Sequence, residues 1–115
     1  MNEARKKRRV CSLPRNNKYG PLGMRSGQSK DFINLSVDEY ETIRLIDYEG
    51  YDQEECSKQM NVARTTVQGI YARARLKISK SLVEGKVLLI DGGNYELCTD
   101  YPRRCGRSCM KDRRF

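Results

Sequence analysis

One stretch of the sequence carries side chains of the kinds that read nucleic acid. Residues 64–83 contain five Lys or Arg and no acid, and the candidate contact residues are Arg64, Thr65, Thr66, Gln68, Arg73 and Arg75. Arg bonds guanine and Gln bonds adenine through paired hydrogen bonds, and a Thr methyl group contacts thymine. We therefore expect Arg64, Thr65 and Gln68 to contact base edges and the other three to contact phosphate. The alternative is an ordinary solvated basic helix.

The cysteines form a second set of reactive side chains, since the chain has five Cys and no His. The metal candidates are Cys11, Cys98, Cys105 and Cys109. The last three follow a C-x6-C-x3-C spacing, and the first would complete a four-thiolate zinc site from the other end of the chain. Neighbouring arginines would favour the ionised thiols that a metal ligand or a redox switch requires. A structural zinc, a redox switch and plain reduced thiols are all open, whereas Cys56 is expected to be a buried small hydrophobe.

Two predicted helices precede the basic stretch. Ser36 followed by Glu39 is the pattern of a capping box, and Gly50 supplies a left-handed stop, which bounds a helix of about 13 residues. Asp52 can cap a second, shorter helix that runs to about Met60.

The basic stretch itself is predicted to be the third helix. Val67, Ile70 and Ala74 recur at helical spacing from a start near Arg64, and Asn61 tolerates the positive φ of a tight turn. Two helices joined in this way match the helix-turn-helix pattern, in which the early positions of the second helix reach base edges. The expected fold is mainly α, a three-helix helix-turn-helix core followed by a short β-hairpin, with basic irregular tails.

The hairpin is predicted from the pattern after Gly85. The runs Lys-Val-Leu-Leu-Ile and Tyr-Glu-Leu-Cys flank Asp-Gly-Gly-Asn, which is typical of two strands around a turn. A lone hairpin is marginal in water. It would therefore pack on the helices or pair with a second copy, so a homodimer is one expectation.

Charge is segregated along the chain. The net charge is +8 over residues 1–30, −7 over residues 31–60, +3 over residues 61–97 and +4 over residues 98–115. The segregation suggests that the acidic block faces away from whatever the basic blocks approach. We divide the chain into a basic flexible arm (1–30), a helix-turn-helix domain with a C-terminal β-hairpin (31–97) and a basic Cys-containing tail (98–115).

Residues 8–97 carry a resemblance to a known family. They include Leu-Ser-Val-Asp-Glu-Tyr-Glu, Asn-Val-Ala-Arg-Thr-Thr-Val, Leu-Val-Glu-Gly-Lys and Gly-Gly-Asn-Tyr. With the upstream Arg-Arg-Val-Cys and Tyr-Gly-Pro-Leu-Gly, they resemble an uncharacterised prokaryotic family of small proteins predicted to bind DNA, with a helix-turn-helix like that of sigma-factor region four. The resemblance implies a recognition helix beginning at Arg64. The sequence departs from the family at Ala63, where a Ser cap is usual, and at Asn61, where Gly is usual.

The expected function is a sequence-specific DNA-binding transcriptional regulator acting in the major groove of double-stranded DNA. The sequence contains no nucleophile elbow or phosphate loop, so we expect no enzyme. One alternative is a protein-interaction module, in which the acidic first helix and the hairpin dock on a partner such as RNA polymerase. Another is an RNA binder that uses residues 5–9. The longest apolar run is far shorter than the roughly 20 residues of a membrane helix. Since no secretory signal is apparent either, we expect a cytoplasmic protein without membrane contact.

Overall fold

A computed structural model of the chain describes residues 7–23 and 31–98. It contains three α-helices and five short strands. The helices are α1 (Val37–Ile43), α2 (Gln53–Met60) and α3 (Arg64–Glu84), and a π-helical segment, Arg44–Tyr48, continues α1. The strands are β1 (Arg8–Val10), β2 (Lys18–Tyr19), β3 (Phe32–Leu35), β4 (Val87–Ile90) and β5 (Tyr95–Leu97). A helical core with small strands is thus confirmed.

The first two helices begin where their capping boxes predict. The Ser36 hydroxyl accepts a hydrogen bond from the Glu39 amide, while the Glu39 carboxylate accepts one from the Ser36 amide. Asp52 and Glu55 repeat this arrangement at the start of α2. Each box satisfies two amides that would otherwise lack partners in the first turn. Helical structure then ends before Gly50, whose φ of 87° confirms the left-handed stop.

A tight turn joins α2 to α3. Asn61 adopts φ 61° at the end of α2, and the Val62 amide donates to the Ser57 carbonyl at 3.0 Å. Ala63 occupies the cap position of α3 with no side-chain cap bond, so the first turn of α3 lacks that stabilisation. Asn therefore supplies the left-handed residue that the turn requires without glycine.

The hairpin prediction is wrong, although both of its strands exist. β4 pairs antiparallel with β2 and parallel with β3, whereas β5 pairs parallel with β1. Between β4 and β5 the chain crosses the N-terminus of α1, where the Gly92 carbonyl accepts from the Val37 amide at 2.9 Å. At Gly93, with φ 105°, a Cβ would lie 2.6 Å from Asp38 Oδ1. The two glycines therefore permit a close passage over the helix instead of a two-strand turn.

Part of the predicted basic arm (residues 1–30) is in contact with the rest of the domain. β1 and β2 are both paired, and Val10 and Cys11 are buried. Arg9 donates from Nε to the Gln59 carbonyl at 2.9 Å and from Nη2 to the Lys58 carbonyl, and so holds β1 against the last turn of α2. Residues 1–6 and 24–30 lie outside the described part, as does nearly all of the predicted tail.

The buried apolar side chains form two main clusters. The first lies between the sheets, α1 and α3 and contains Val10, Leu35, Val37, Ala74, Leu88 and Ile90. The second joins α2 and α3 to the π-helical segment and contains Leu45, Tyr51, Cys56, Met60 and Val67. The predicted burial of Val67, Ile70, Ala74 and Cys56 is confirmed. No helix in the described part of the chain is long and apolar enough to cross a membrane.

A buried ion pair ties α1 to the π-helical segment. Arg44 donates from Nε and Nη2 to the two carboxylate oxygens of Glu41 at 2.9 and 2.8 Å, and from Nη1 to Glu49 at 3.2 Å. The Glu41 side chain is fully buried and also accepts from the Cys11 amide. Burial alone would lower the pKa of Arg44, but the hydrogen bonds and charge of Glu41 raise it, so the guanidinium stays charged.

The Glu41→Ala substitution is expected to lower the free energy of unfolding by about 3 kcal/mol or more, because Arg44 would stay buried without its two-bond partner. Urea denaturation measures this. The matched control is Glu54→Ala, which removes the exposed pair of Glu54 with Lys58 and is expected to cost less than about 0.5 kcal/mol. Equal destabilisation of the two variants would contradict a structural role for the buried pair.

Candidate nucleic-acid interface

The outward side of α3 carries all six predicted contact residues. Five of them, Arg64, Thr65, Gln68, Arg73 and Arg75, are exposed, and Thr66 is half-buried. The opposite side of the helix is fixed against the core by Val67, Ile70 and Ala74, each with 0% exposure. The helix therefore cannot rotate to present another face without exposing these side chains.

The six residues do not share one face. Five of them divide into two flanks, and Thr65 lies between the flanks. At about 100° per residue around the helix axis, Arg64, Gln68 and Arg75 fall within about 40° of one another. We call these residues flank A. Thr66 and Arg73 lie on the opposite side of the outward surface, together with Lys77 and Lys80, and these four form flank B. Thr65, Gly69 and Ala72 form a strip of small side chains between the flanks, and the exposed Leu76 follows them on the same strip.

Flank A is held by polar contacts with the neighbouring elements. Gln68 Nε2 donates to Gln53 Oε1 on α2 at 3.1 Å. The Tyr71 hydroxyl donates to Asp47 at 2.8 Å and accepts from Arg75 Nη1 at 2.9 Å.

The guanidinium carbon of Arg75 also lies 5.4 Å from the centre of the Tyr71 ring, within the range of a cation–π contact. Burial, and then the hydrogen bond to Asp47, raise the pKa of Tyr71, so its hydroxyl keeps its proton. Tyr71 therefore positions Arg75, a role that the sequence did not indicate.

Flank B is anchored by a buried carboxylate of α1. Glu39 accepts from Lys77 Nζ at 2.7 Å and lies 3.4 Å from Arg73 Nε, although 59% of the Arg73 side chain is exposed. Burial alone would raise the pKa of Glu39, but the hydrogen bonds from Lys77 and from Ser36 and the charge of Lys77 lower it overall. Glu39 is therefore ionised, and it orients the two bases along the edge of the helix.

Sequence reasoning missed two features of this surface. The pairing of Glu39 with α3 joins residues 38 positions apart, and no local pattern indicates it. Lys80 could have been found, because Arg73, Lys77 and Lys80 recur at the steps of four and three residues that place side chains on one side of a helix.

Of the four metal candidates, the structure brings two together. Cys11 and Cys98 are buried against each other, while Cys105 and Cys109 lie outside the described residues. Within residues 7–23 and 31–98 no group of three or more potential metal ligands occurs. Cys56 belongs to a different cluster, with Leu45 and Met60, and burial raises its pKa to about 12. It therefore remains a neutral thiol.

Comparison with known proteins identifies relatives along nearly the whole chain. A family model described as "Protein of unknown function DUF134" matches residues 1–98. A UPF0251 protein of Desulfitobacterium hafniense strain Y51 is 56% identical over 114 residues, which cover 99% of this chain and 90% of the relative. A UPF0251 protein of Halothermothrix orenii is 43% identical over 103 residues, 88% of this chain and 76% of the relative. No solved structure matches the chain significantly. None of these names states an activity.

The Glu39→Gln substitution is expected to change the pH dependence of stability. Because the folded-state pKa of Glu39 is lowered, its contribution is present above the ordinary value of 4.5 and is lost as the pH falls through the folded-state value. The difference in unfolding free energy between the wild type and the variant should therefore shrink below pH 4.5. Urea denaturation across a pH series measures it. A difference that stays constant with pH would contradict the ion-pair role of Glu39.

Proposed function

The chain belongs to the DUF134 family, whose curated members are called UPF0251 proteins, and from that premise we propose that it is a sequence-specific DNA-binding transcriptional regulator. In this proposal α2 and α3 form a helix-turn-helix of the kind found in region four of sigma factors. α3 occupies the major groove, and the protein acts by occupancy without catalysis.

The observation that carries the proposal is the arrangement of charge on the outward side of α3. The major groove of B-DNA is about 12 Å wide, and a helix with its side chains is about 10–12 Å across. A helix in the groove has a phosphate wall on each side and base edges in front. Arg75 of flank A and the basic residues of flank B match the two walls. Arg64 and Gln68, in the first two turns, and the strip between the flanks face the base edges.

Charge pairing inside the protein leaves this surface positive. Among the described residues, no carboxylate lies within ion-pair distance of Arg64, Arg75 or Lys80. The first turn of α3 contains no acid either, so the partial positive charge of the helix N-terminus is available to a phosphate.

Individual side chains have distinct roles in this proposal. Arg64, Thr65 and Gln68 lie in the first two turns of α3, the part that enters the groove first in helix-turn-helix proteins. Arg64 is suited to guanine, Gln68 to adenine and Thr65 to a thymine methyl group. The phosphate contacts are assigned to Thr66, Arg73 and Arg75, and the last of these is already oriented by Tyr71.

Gly69 supports the proposal because the protein interior does not require it. A Cβ at this position would meet only Arg73 Nη1, at an ordinary 3.5 Å. Glycine inside a helix costs about 1 kcal/mol relative to alanine. A glycine that is not needed for internal packing therefore suits the close approach of an external surface, here the groove.

The alternative of an interaction module built on the acidic first helix is weakened by burial. Asp38, Glu39 and Glu41 are at most 5% exposed, so their carboxylates are not displayed to a partner.

Selection from a pool of random duplexes is expected to yield a consensus sequence. The double variant Arg64→Ala, Gln68→Ala should lose preference at the corresponding base pairs, since each paired contact contributes about 1–3 kcal/mol of discrimination. Arg75→Ala should weaken binding to all sequences and reduce the slope of log affinity against log salt by about one.

Lys86→Ala is the matched control, because it removes one positive charge about 30 Å from Arg64, beyond the other end of the 21-residue helix α3. It should keep the consensus. The proposal would be refuted if the wild type selected no consensus, or if the double variant selected the same one with unchanged affinity.

Substitutions at Gly69 should separate stability from DNA binding. Gly69→Ala is expected to raise the free energy of unfolding by about 1 kcal/mol, because the helix gains a better former. Gly69→Leu should remain folded, since it points away from the core, but should weaken binding to the selected duplex at least tenfold. Urea denaturation and fluorescence anisotropy measure the two effects. Unchanged affinity in the Leu variant would remove Gly69 from the interface.

A further inference from the structure

Of the three residues assigned to bases, Gln68 is the one that another helix holds in the described part of the chain. Its Nε2 donates to Gln53 Oε1 at 3.1 Å, which joins the second turn of α3 to the first turn of α2. Among the described residues, Arg64 and Thr65 make no side-chain hydrogen bond. The amide of Gln68 is therefore oriented within the free protein, whereas the side chains of Arg64 and Thr65 are not.

Gln53 has a fixed position from which to orient a neighbour. It is the first residue of α2 and directly follows Asp52, whose capping box fixes the start of that helix. Gln53 is half-buried, while Gln68 is exposed. The fully buried side chains of Cys56 and Met60 hold α2 in the cluster that it shares with α3. The oxygen of Gln53 is thus carried by a packed helix and not by a loop.

The hydrogen bond leaves the adenine-binding atoms of Gln68 free. A glutamine amide has two hydrogens on nitrogen and one accepting oxygen. Recognition of adenine uses one of these hydrogens, donated to N7, and the oxygen, which accepts from the N6 amino group. Gln53 takes the other hydrogen, and the Gln68 side chain makes no further hydrogen bond among the described residues. The contact with Gln53 and the contact with adenine are therefore compatible.

Orienting a glutamine before it binds has an energetic consequence. Glutamine is among the side chains that lose the most rotamer freedom when they are ordered. A side chain that is already ordered does not incur this loss on binding. We propose that Gln53 is a positioning residue, which orients the Gln68 amide toward adenine and so sets the preference for one A·T pair in the bound duplex. This inference rests on the proposed function, and it concerns a residue that does not itself contact a base.

The test uses the duplex that the wild type selects, with single adenines replaced by 7-deazaadenine, which lacks the N7 acceptor. At the adenine that Gln68 contacts, this replacement should weaken binding of the wild type about tenfold. Gln68→Ala should show no such loss, because it has no amide to donate. Gln53→Ala should lose less than about threefold, because its Gln68 amide is no longer oriented. Fluorescence anisotropy measures the affinities for both duplexes.

Two further variants separate orientation from other effects. Gln53→Glu keeps the oxygen that accepts from Gln68 and should restore the tenfold loss, although its negative charge weakens binding to both duplexes alike. Glu54→Ala is the matched control, since it changes the next, exposed residue of α2, which pairs with Lys58, and it should show the same loss as the wild type. Gln53→Ala should unfold at a urea concentration close to that of the wild type, because its side chain belongs to neither hydrophobic cluster.

The outcomes distinguish the positioning role from the function on which it rests. A full tenfold loss in Gln53→Ala would overturn the positioning role and leave the proposed function intact. So would a selected consensus in which no adenine responds to Gln68→Ala. If the wild type selects no consensus at all, the proposed function itself is overturned, and the positioning role with it.

Discussion

Three buried carboxylates on α1 constrain the rest of the molecule. Asp38, Glu39 and Glu41 are each at most 5% exposed. A buried carboxylate without a partner would cost several kcal/mol, so each must meet a base from another element. Asp38 lies 3.7 Å from Arg8 of β1, Glu39 holds two bases of α3, and Glu41 holds Arg44. α1 is thus the element against which the strand, the long helix and the π-helical segment are all aligned.

This constraint changes the meaning of the charge segregation along the chain. The sequence predicts that the acidic block faces away from a polyanion, but three of its nine carboxylates, those of Asp38, Glu39 and Glu41, are internal counter-charges. They neutralise bases on β1, on the π-helical segment and on flank B of α3. The outward side of α3 keeps positive charge, since Arg64 and Arg75 have no carboxylate partner among the described residues. The fold thereby separates structural bases from those available to a phosphate backbone.

Local signals in the sequence predicted the helices well and the strand pairings poorly. The capping boxes at Ser36 and Asp52 and the left-handed residue Asn61 act within a few residues, so their effect can be derived from the sequence alone. The pairing of β1 with β5 joins residues 87 positions apart, such as Arg8 and Tyr95. An apolar run indicates a strand but not its partner, since sheet pairing depends on tertiary packing. The Gly-Gly pair resembles a hairpin turn in the sequence because its contact with Asp38 is a tertiary contact, which no local pattern indicates.

The same distinction applies to the candidate interface. The residue types on α3 and their spacing indicate which residues face outward, because the helical period places Val67, Ile70 and Ala74 on the opposite side. The same period divides the outward residues into two flanks, but it does not indicate the different partners that hold each flank. Arg75 is oriented by a tyrosine of its own helix, whereas Arg73 and Lys77 are oriented by a glutamate from α1. A shift of α3 along α1 would break the flank B contacts and leave the Arg75 contact with Tyr71 intact. The geometry of flank B therefore depends on the whole fold, whereas the geometry of Arg75 depends largely on α3 itself.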